Sequence, residues 1–153
     1  MSTTRSALIP PPPLVYLAFI GSAWGLERLL PLPLPAPLAV RAAGWAVILL
    51  GLALMVWAAL EMYRHRTTIN PYGQPRRLLQ RGPFRYSRNP IYLADALVYC
   101  GIGLLLGSLW PWLLLPLLIL CMQRTVIVHE ERLLTQLFGD EYQGYRQQVR
   151  RWL

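Results

Sequence analysis

Apolar residues fall into four long runs separated by short polar or proline-rich stretches, a pattern that predicts helices rather than alternating strands. Leu14 to Leu30 is apolar apart from Glu27 and Arg28 near its end, and its length approaches the ~20 residues that a bilayer-crossing helix needs. Pro31, Pro33, Pro35 and Pro37 then alternate with Leu and Ala, which predicts a short stiff connector with no helix. Leu38 to Tyr63 is the second run, with Arg41 near its start, Glu61 near its end and an uncharged interior long enough to cross at a tilt. Pro90 to Gly107 is the third. Ser108-Leu109-Trp110-Pro111 reads as a tight turn, and Trp112 to Val128 is the fourth, with Trp110 and Trp112 suited to an interfacial aromatic belt. From His129 onward, Leu133, Leu134, Leu137, Phe138, Tyr142, Tyr145, Val149 and Trp152 recur at helical spacing, which predicts amphipathic helices lying on the membrane surface. Gly139 is the expected break between them and Asp140 the expected cap of the second.

The fold class that follows is all-α: a polytopic membrane protein with about four transmembrane helices (14–30, 38–63, 90–107 and 112–128) in one domain, 1–153. Pro10 to Pro13 interrupt the apolar stretch after Arg5, so an extended entry is expected there rather than a removable signal peptide. The 64–89 connection carries Arg64, Arg66, Arg76, Arg77, Arg81, Arg85 and Arg88, with turn chemistry at Asn70-Pro71-Tyr72-Gly73-Gln74-Pro75. The 31–37 and 108–111 connections have no basic residue, so the arginine bias places the long loop and both termini in the cytoplasm.

Composition supports the membrane reading. The chain is 55% hydrophobic and only 14% charged, too apolar for an ordinary soluble domain. Its net charge of +8 comes from arginine alone, but those arginines sit between apolar runs rather than on one polar face, which argues against a nucleic-acid surface. Cys100 and Cys121 both fall within apolar runs and read as small core residues. No metal-ligand set is expected.

Chemistry concentrates at Gly82–Tyr92, G-P-F-R-Y-S-R-N-P-I-Y. Asn89 suits an N-cap and Pro90 a first helical turn, while Arg81, Arg85 and Arg88 alternate with Phe84 and Tyr86 just before them. Cations and free helix N–H groups converging on one point suit an anionic group. The pair Glu130-Glu131 lies where the fourth run ends; it could pair with Arg124 or Arg132, or accept hydrogen bonds from the adjacent hydroxyls of a ribose. A minimal turn joins the third and fourth runs, so Asn89-Pro90 and Glu130-Glu131 are expected on the same membrane face, forming a two-part pocket that could hold a ligand with a carboxylate at one end and a ribose at the other.

Two further groups stand out. Asp95 lies within the third run, and counting outward from the Leu109-Trp110 turn puts it level with Arg124, so the two are expected to pair, as a register-fixing contact or as part of a substrate site. Glu61 has Arg64 and His65 at i,i+3 and i,i+4 spacing, an interfacial charge network or a group that orients or deprotonates a nucleophile. Glu61, His65 and Asp95 are the weak catalytic candidates. A four-span transporter-like protein would use Asp95 and Glu61 as ion sites, and an NADPH-dependent membrane reductase would also carry a cytosolic cofactor pocket.

The run G-P-F-R-Y-S-R-N-P-I-Y, then H-E-E, F-G-D-E-Y-Q-G-Y-R and V-R-R-W-L, resembles the isoprenylcysteine carboxyl methyltransferase and phospholipid methyltransferase superfamily over roughly Thr67 to Leu153. The resemblance implies an S-adenosyl-L-methionine-dependent methyltransferase, with S-adenosylhomocysteine as product, in a bacterial inner membrane. It implies a cofactor site made by Arg85, Tyr86, Arg88, Asn89, Pro90, Tyr92, Glu130, Glu131, Tyr145 and Arg146, with Tyr142 in the C-terminal signature. Asn89 stands where the carboxyl-methylating branch usually has His. The implied acceptor is a lipophilic or small amphipathic thiol, carboxylate or amine, with no nucleic-acid partner.

Overall fold

The computed structural model describes residues 10–66, 75 and 77–153. Most of the turn expected at Asn70–Pro75, together with Arg5 and Arg76, lies outside the described residues. The described residues are helical apart from connections and one isolated bridge.

Helix α1, Pro12–Leu29, begins two residues before the expected Leu14 because Pro11 is extended (φ −56°, ψ 125°) and Pro12 can occupy a first turn where no N–H is required. Helix α2, Leu38–Arg64, has 27 residues and so a length of roughly 40 Å. A 3₁₀ turn, Gly82–Arg85, opens on Gly82 with φ 56° and leads to helix α3, Pro90–Leu106, which ends on left-handed Gly107 (φ 58°). Helix α4, Trp110–Met122, passes through one π-helical turn, Gln123–Ile127, into helix α5, Val128–Gln148. Gly139 (φ 49°, ψ −121°) breaks α5 at the position expected from the sequence.

The helix therefore does not stop where the fourth run ends. It continues from Trp110 through the π turn to the kink at Gly139 and on to Gln148, and among the described residues this kinked stretch and α2 are the two that are long and apolar enough to cross a membrane; α3 is apolar but shorter. A π turn inserts an extra residue into the helical register, often beside a functional site, and hydrophobic periodicity does not reveal it.

Helices α2 and α3 approach closely through small residues. A Cβ on Gly101 would lie 2.6 Å from Ile48 Cγ1 and 2.7 Å from the Gly44 carbonyl oxygen, so only glycine allows this separation. Helix α4 leans on α1 more than on α3. The core joins Val15 and Tyr16 of α1, Tyr92 and Tyr99 of α3, Leu118 and Met122 of α4, and Val126 and Ile127 of the π turn. At the opposite end the proline connector pairs with the α3–α4 turn: Leu34 N–H donates to the Gly107 carbonyl (2.7 Å), Leu109 N–H to the Leu32 carbonyl (2.9 Å), and Ser108 Oγ to Glu27 (2.6 Å).

The expected Asp95–Arg124 pair does not form. Asp95 is half-buried on α3 and forms no ion pair among the described residues, and Arg124 is exposed within the π turn. Counting residues outward from a hairpin assumes two uniform α-helices packed on each other. Here one arm is rewound at Arg124, and each arm has another helix as its main neighbour.

Candidate functional site

The start of α3 is built by three segments. Asn89 stands at the N-cap with φ −130° and ψ 58°, but its side chain does not cap the helix. Its Nδ2 donates instead to the Arg151 carbonyl (3.0 Å), its backbone N–H donates to Ser87 Oγ (3.1 Å), and Arg88 N–H donates to the Arg150 carbonyl (3.0 Å). The C-terminal tail reaches this point because Val149 turns extended (φ −123°, ψ 130°) after α5. With the tail drawing Asn89 away, the first turn of α3 keeps its positive end without a side-chain cap.

The start of α5 lies against it. Glu131 is buried and clamped by two arginines: Arg151 Nε donates to Oε1 (2.9 Å) and Nη2 to Oε2 (2.7 Å), while Arg88 Nη1 lies 3.1 Å from Oε1. Tyr92 donates to Glu130 Oε1 (2.5 Å), and Tyr16 of α1 donates to the Tyr92 carbonyl (3.0 Å). Tyr145 donates to the Phe84 carbonyl (2.6 Å), fixing the 3₁₀ turn against α5, and Arg88 Nη1 reaches Tyr142 Oη at 3.4 Å.

Burial sets the electrostatics. It pushes the Glu130 carboxyl up to about 7, against the opposing effect of the Tyr92 hydrogen bond. It also raises the phenols of Tyr142 and Tyr145, which stay neutral donors. The Glu131 hydrogen bond raises the Arg151 guanidinium further. Two guanidiniums against the Glu131 carboxylate leave the cluster positive, and among the described residues Arg88 Nε is buried without a partner. A buried donor of that kind favours an acceptor beside it.

The structure thus brings Arg88, Asn89, Pro90, Tyr92, Glu130, Glu131, Tyr142 and Tyr145 together. Arg85, Tyr86 and Arg146 are exposed and hold no polar contact with this cluster among the described residues. His65 Nδ1 lies 3.5 Å from Glu61 Oε1, but neither residue bonds to the Arg88–Glu131 group. Sequence reasoning missed Arg151, Ser87 and Tyr16. The V-R-R-W-L run drew attention to the tail, but nothing local distinguishes Arg150, which is exposed, from Arg151, which seals Glu131.

The phospholipid methyltransferase family profile matches residues 39–141, two-thirds of the chain. The chain belongs to the phospholipid methyltransferase family. Membership makes it a membrane methyltransferase, in keeping with its two long apolar helices. A 63-residue stretch is 41% identical to an uncharacterized protein of Haemophilus influenzae (strain ATCC 51907 / DSM 11121 / KW20 / Rd), covering 41% of this chain and 100% of the relative. No solved structure matches it significantly. The family match over this chain takes in Arg88–Tyr92 and Glu130–Glu131, and leaves out α1 and the tail that bears Arg151.

Proposed function

We propose that the protein is an S-adenosyl-L-methionine-dependent methyltransferase that crosses the membrane four times, with the α3–α5 junction and the 64–89 loop on the cytoplasmic face. The observation that carries this reading is the positive Arg88–Glu131–Arg151 cluster beside the Tyr92-held Glu130, at the uncapped start of α3. The cofactor suits it chemically. Its amino-acid carboxylate calls for cationic donors, which Arg88 supplies with an unpartnered Nε. Its ribose hydroxyls call for acceptors, and the second oxygen of Glu130 accepts no hydrogen bond from another described residue. Glu131 is expected to act differently from Glu130: saturated by two arginines, it orients them instead of contacting the ribose.

The cofactor, when bound, supplies an electrophilic methyl group on a sulfonium leaving group. The chain's task is alignment and exclusion of water. Arg88 would hold one end of the ligand and Glu130 the other, with the neutral Tyr142 and Tyr145 closing the α5 side. Arg85, Tyr86 and Arg146 lie at the exposed rim, where they could engage the ligand on entry. The acceptor in this reading is lipophilic or small and amphipathic, arrives laterally among the helices, and needs no dedicated base if it is a thiolate or carboxylate. Glu61, His65 and Asp95 are then dispensable for deprotonation.

Calorimetry of the detergent-solubilised protein tests the reading. S-adenosylhomocysteine should bind saturably and NADPH should not. Binding of NADPH alone would transfer the protein to the reductase class, and binding of neither by folded protein would refute the cofactor assignment.

A further inference from the structure

A second site lies away from this cluster. At the C-terminal end of α2 a cleft of about 470 Å³ is lined in part by His65, Arg77, Arg81 and Glu141, and a cleft of about 390 Å³ by Arg64, His65, Arg66 and Arg77. The two share His65 and Arg77, and neither is lined by Arg88, Tyr92, Glu130 or Glu131. Four guanidiniums from two segments face this region. All seven carboxylates of the chain lie among the described residues, yet none forms an ion pair with Arg64, Arg66, Arg77 or Arg81. Orientation of a membrane protein requires cations in the loop but not their convergence on one cleft.

The adjoining surface of α2 is apolar. Val56, Leu60 and Tyr63 follow one face at helical spacing, 57%, 46% and 78% exposed, and this face runs directly to Arg64. An apolar stripe leading into a cationic cleft matches a molecule with acyl chains on an anionic head. We infer that this cleft binds the phosphate of an anionic glycerophospholipid, its chains laid along Val56, Leu60 and Tyr63, at a site distinct from the methyl-transfer centre. Several guanidiniums offer paired N–H donors to phosphate oxygens, and a volume of about 470 Å³ accommodates a glycerophosphoryl head. Soluble phosphate esters share the head chemistry but have nothing to cover the stripe. The inference rests on the membrane placement of α2 and does not depend on the identity of the cofactor.

The protein is reconstituted in nanodiscs of equal phosphatidylglycerol and phosphatidylcholine, extracted gently, and its retained lipid is counted by native mass spectrometry. Phosphatidylglycerol should be retained preferentially, by about fivefold for each guanidinium engaged. Arg66→Gln/Arg77→Gln should bring the two lipids close to parity, whereas Arg66→Lys/Arg77→Lys should keep most of the preference. Arg77→Gln alone leaves α2 intact and serves if the double variant does not fold. Equal retention by the wild type, or an undiminished preference in the Gln variants, overturns the inference. Displacement of the lipid by millimolar glycerol phosphate, without effect of chain length, overturns the assignment to a lipid. S-adenosylhomocysteine affinity measured on the same preparations separates failure here from failure of the cofactor reading, since the Gln variants should bind it as the wild type does.

Discussion

Glu130 and Glu131 are adjacent, yet their surroundings give them different chemistry. Two arginines clamp Glu131 as a structural counter-ion, whereas among the described residues Glu130 bonds to a tyrosine hydroxyl, and burial lifts its carboxyl to about 7. Because the folded-state value is raised above the ordinary carboxylate range, Glu130 contributes its full relative stability below about 4.5, and that contribution is lost as pH rises through about 7. Ligand binding has the opposite sign, because the ionised form is the stronger acceptor. S-adenosylhomocysteine should bind severalfold more tightly at pH 8 than at pH 6, and Glu130→Gln should weaken binding and flatten this dependence in calorimetry. A wild-type affinity independent of pH across that interval would show that Glu130 does not meet the ligand. The sequence singled out both glutamates, but it could not separate their roles, because the deciding partners, Tyr92 and Arg151, come from 38 and 20 residues away.

Among the elements, the α2–α3 pair and the α4–α5 passage carry most of the structure. Gly44, Gly51 and Gly101 let α2 and α3 approach, and any side chain at Gly101 would have to displace Ile48 or the Gly44 carbonyl. Gly101→Leu should therefore cost about 1–3 kcal/mol through overpacking, read as a lower thermal midpoint in detergent with helical content preserved. A stability equal to wild type would mean that the helices separate freely. The limits of α2 and α3 and the break at Gly139 were legible, because proline, glycine and the apolar runs act locally. The π turn at Gln123–Ile127 was not, since its stretch of sequence has an ordinary helical pattern and the burial of Val126 and Ile127 in the core is a tertiary contact. This turn is also why Asp95 and Arg124, level by residue count, remain apart.

At the scale of the whole molecule, the last residues close the site. The tail reaches Arg88 and Asn89 through its Arg150 and Arg151 carbonyls, Arg151 clamps Glu131, and Trp152 packs against the core cluster. Deleting 149–153 should leave the apolar helices folded by circular dichroism while weakening S-adenosylhomocysteine binding at least tenfold, because Glu131 then answers to Arg88 alone and the start of α3 loses its tether. Unchanged affinity in the truncated protein would make the tail a bystander. What the sequence determined by itself follows from local physics: four apolar runs, a proline connector, a basic loop, the Asn89-Pro90 helix start, and a short turn that brings Glu130-Glu131 to the same end. What only the tertiary structure decided concerns partners distant in sequence: the Asn89 side chain given to the tail and not to its own helix, Glu131 sealed by Arg151, and Asp95 left without Arg124. Periodicity and turn chemistry fix where helices begin and end. The choice among several arginines for one buried carboxylate depends on how the helices pack, and no stretch of the chain contains that information alone.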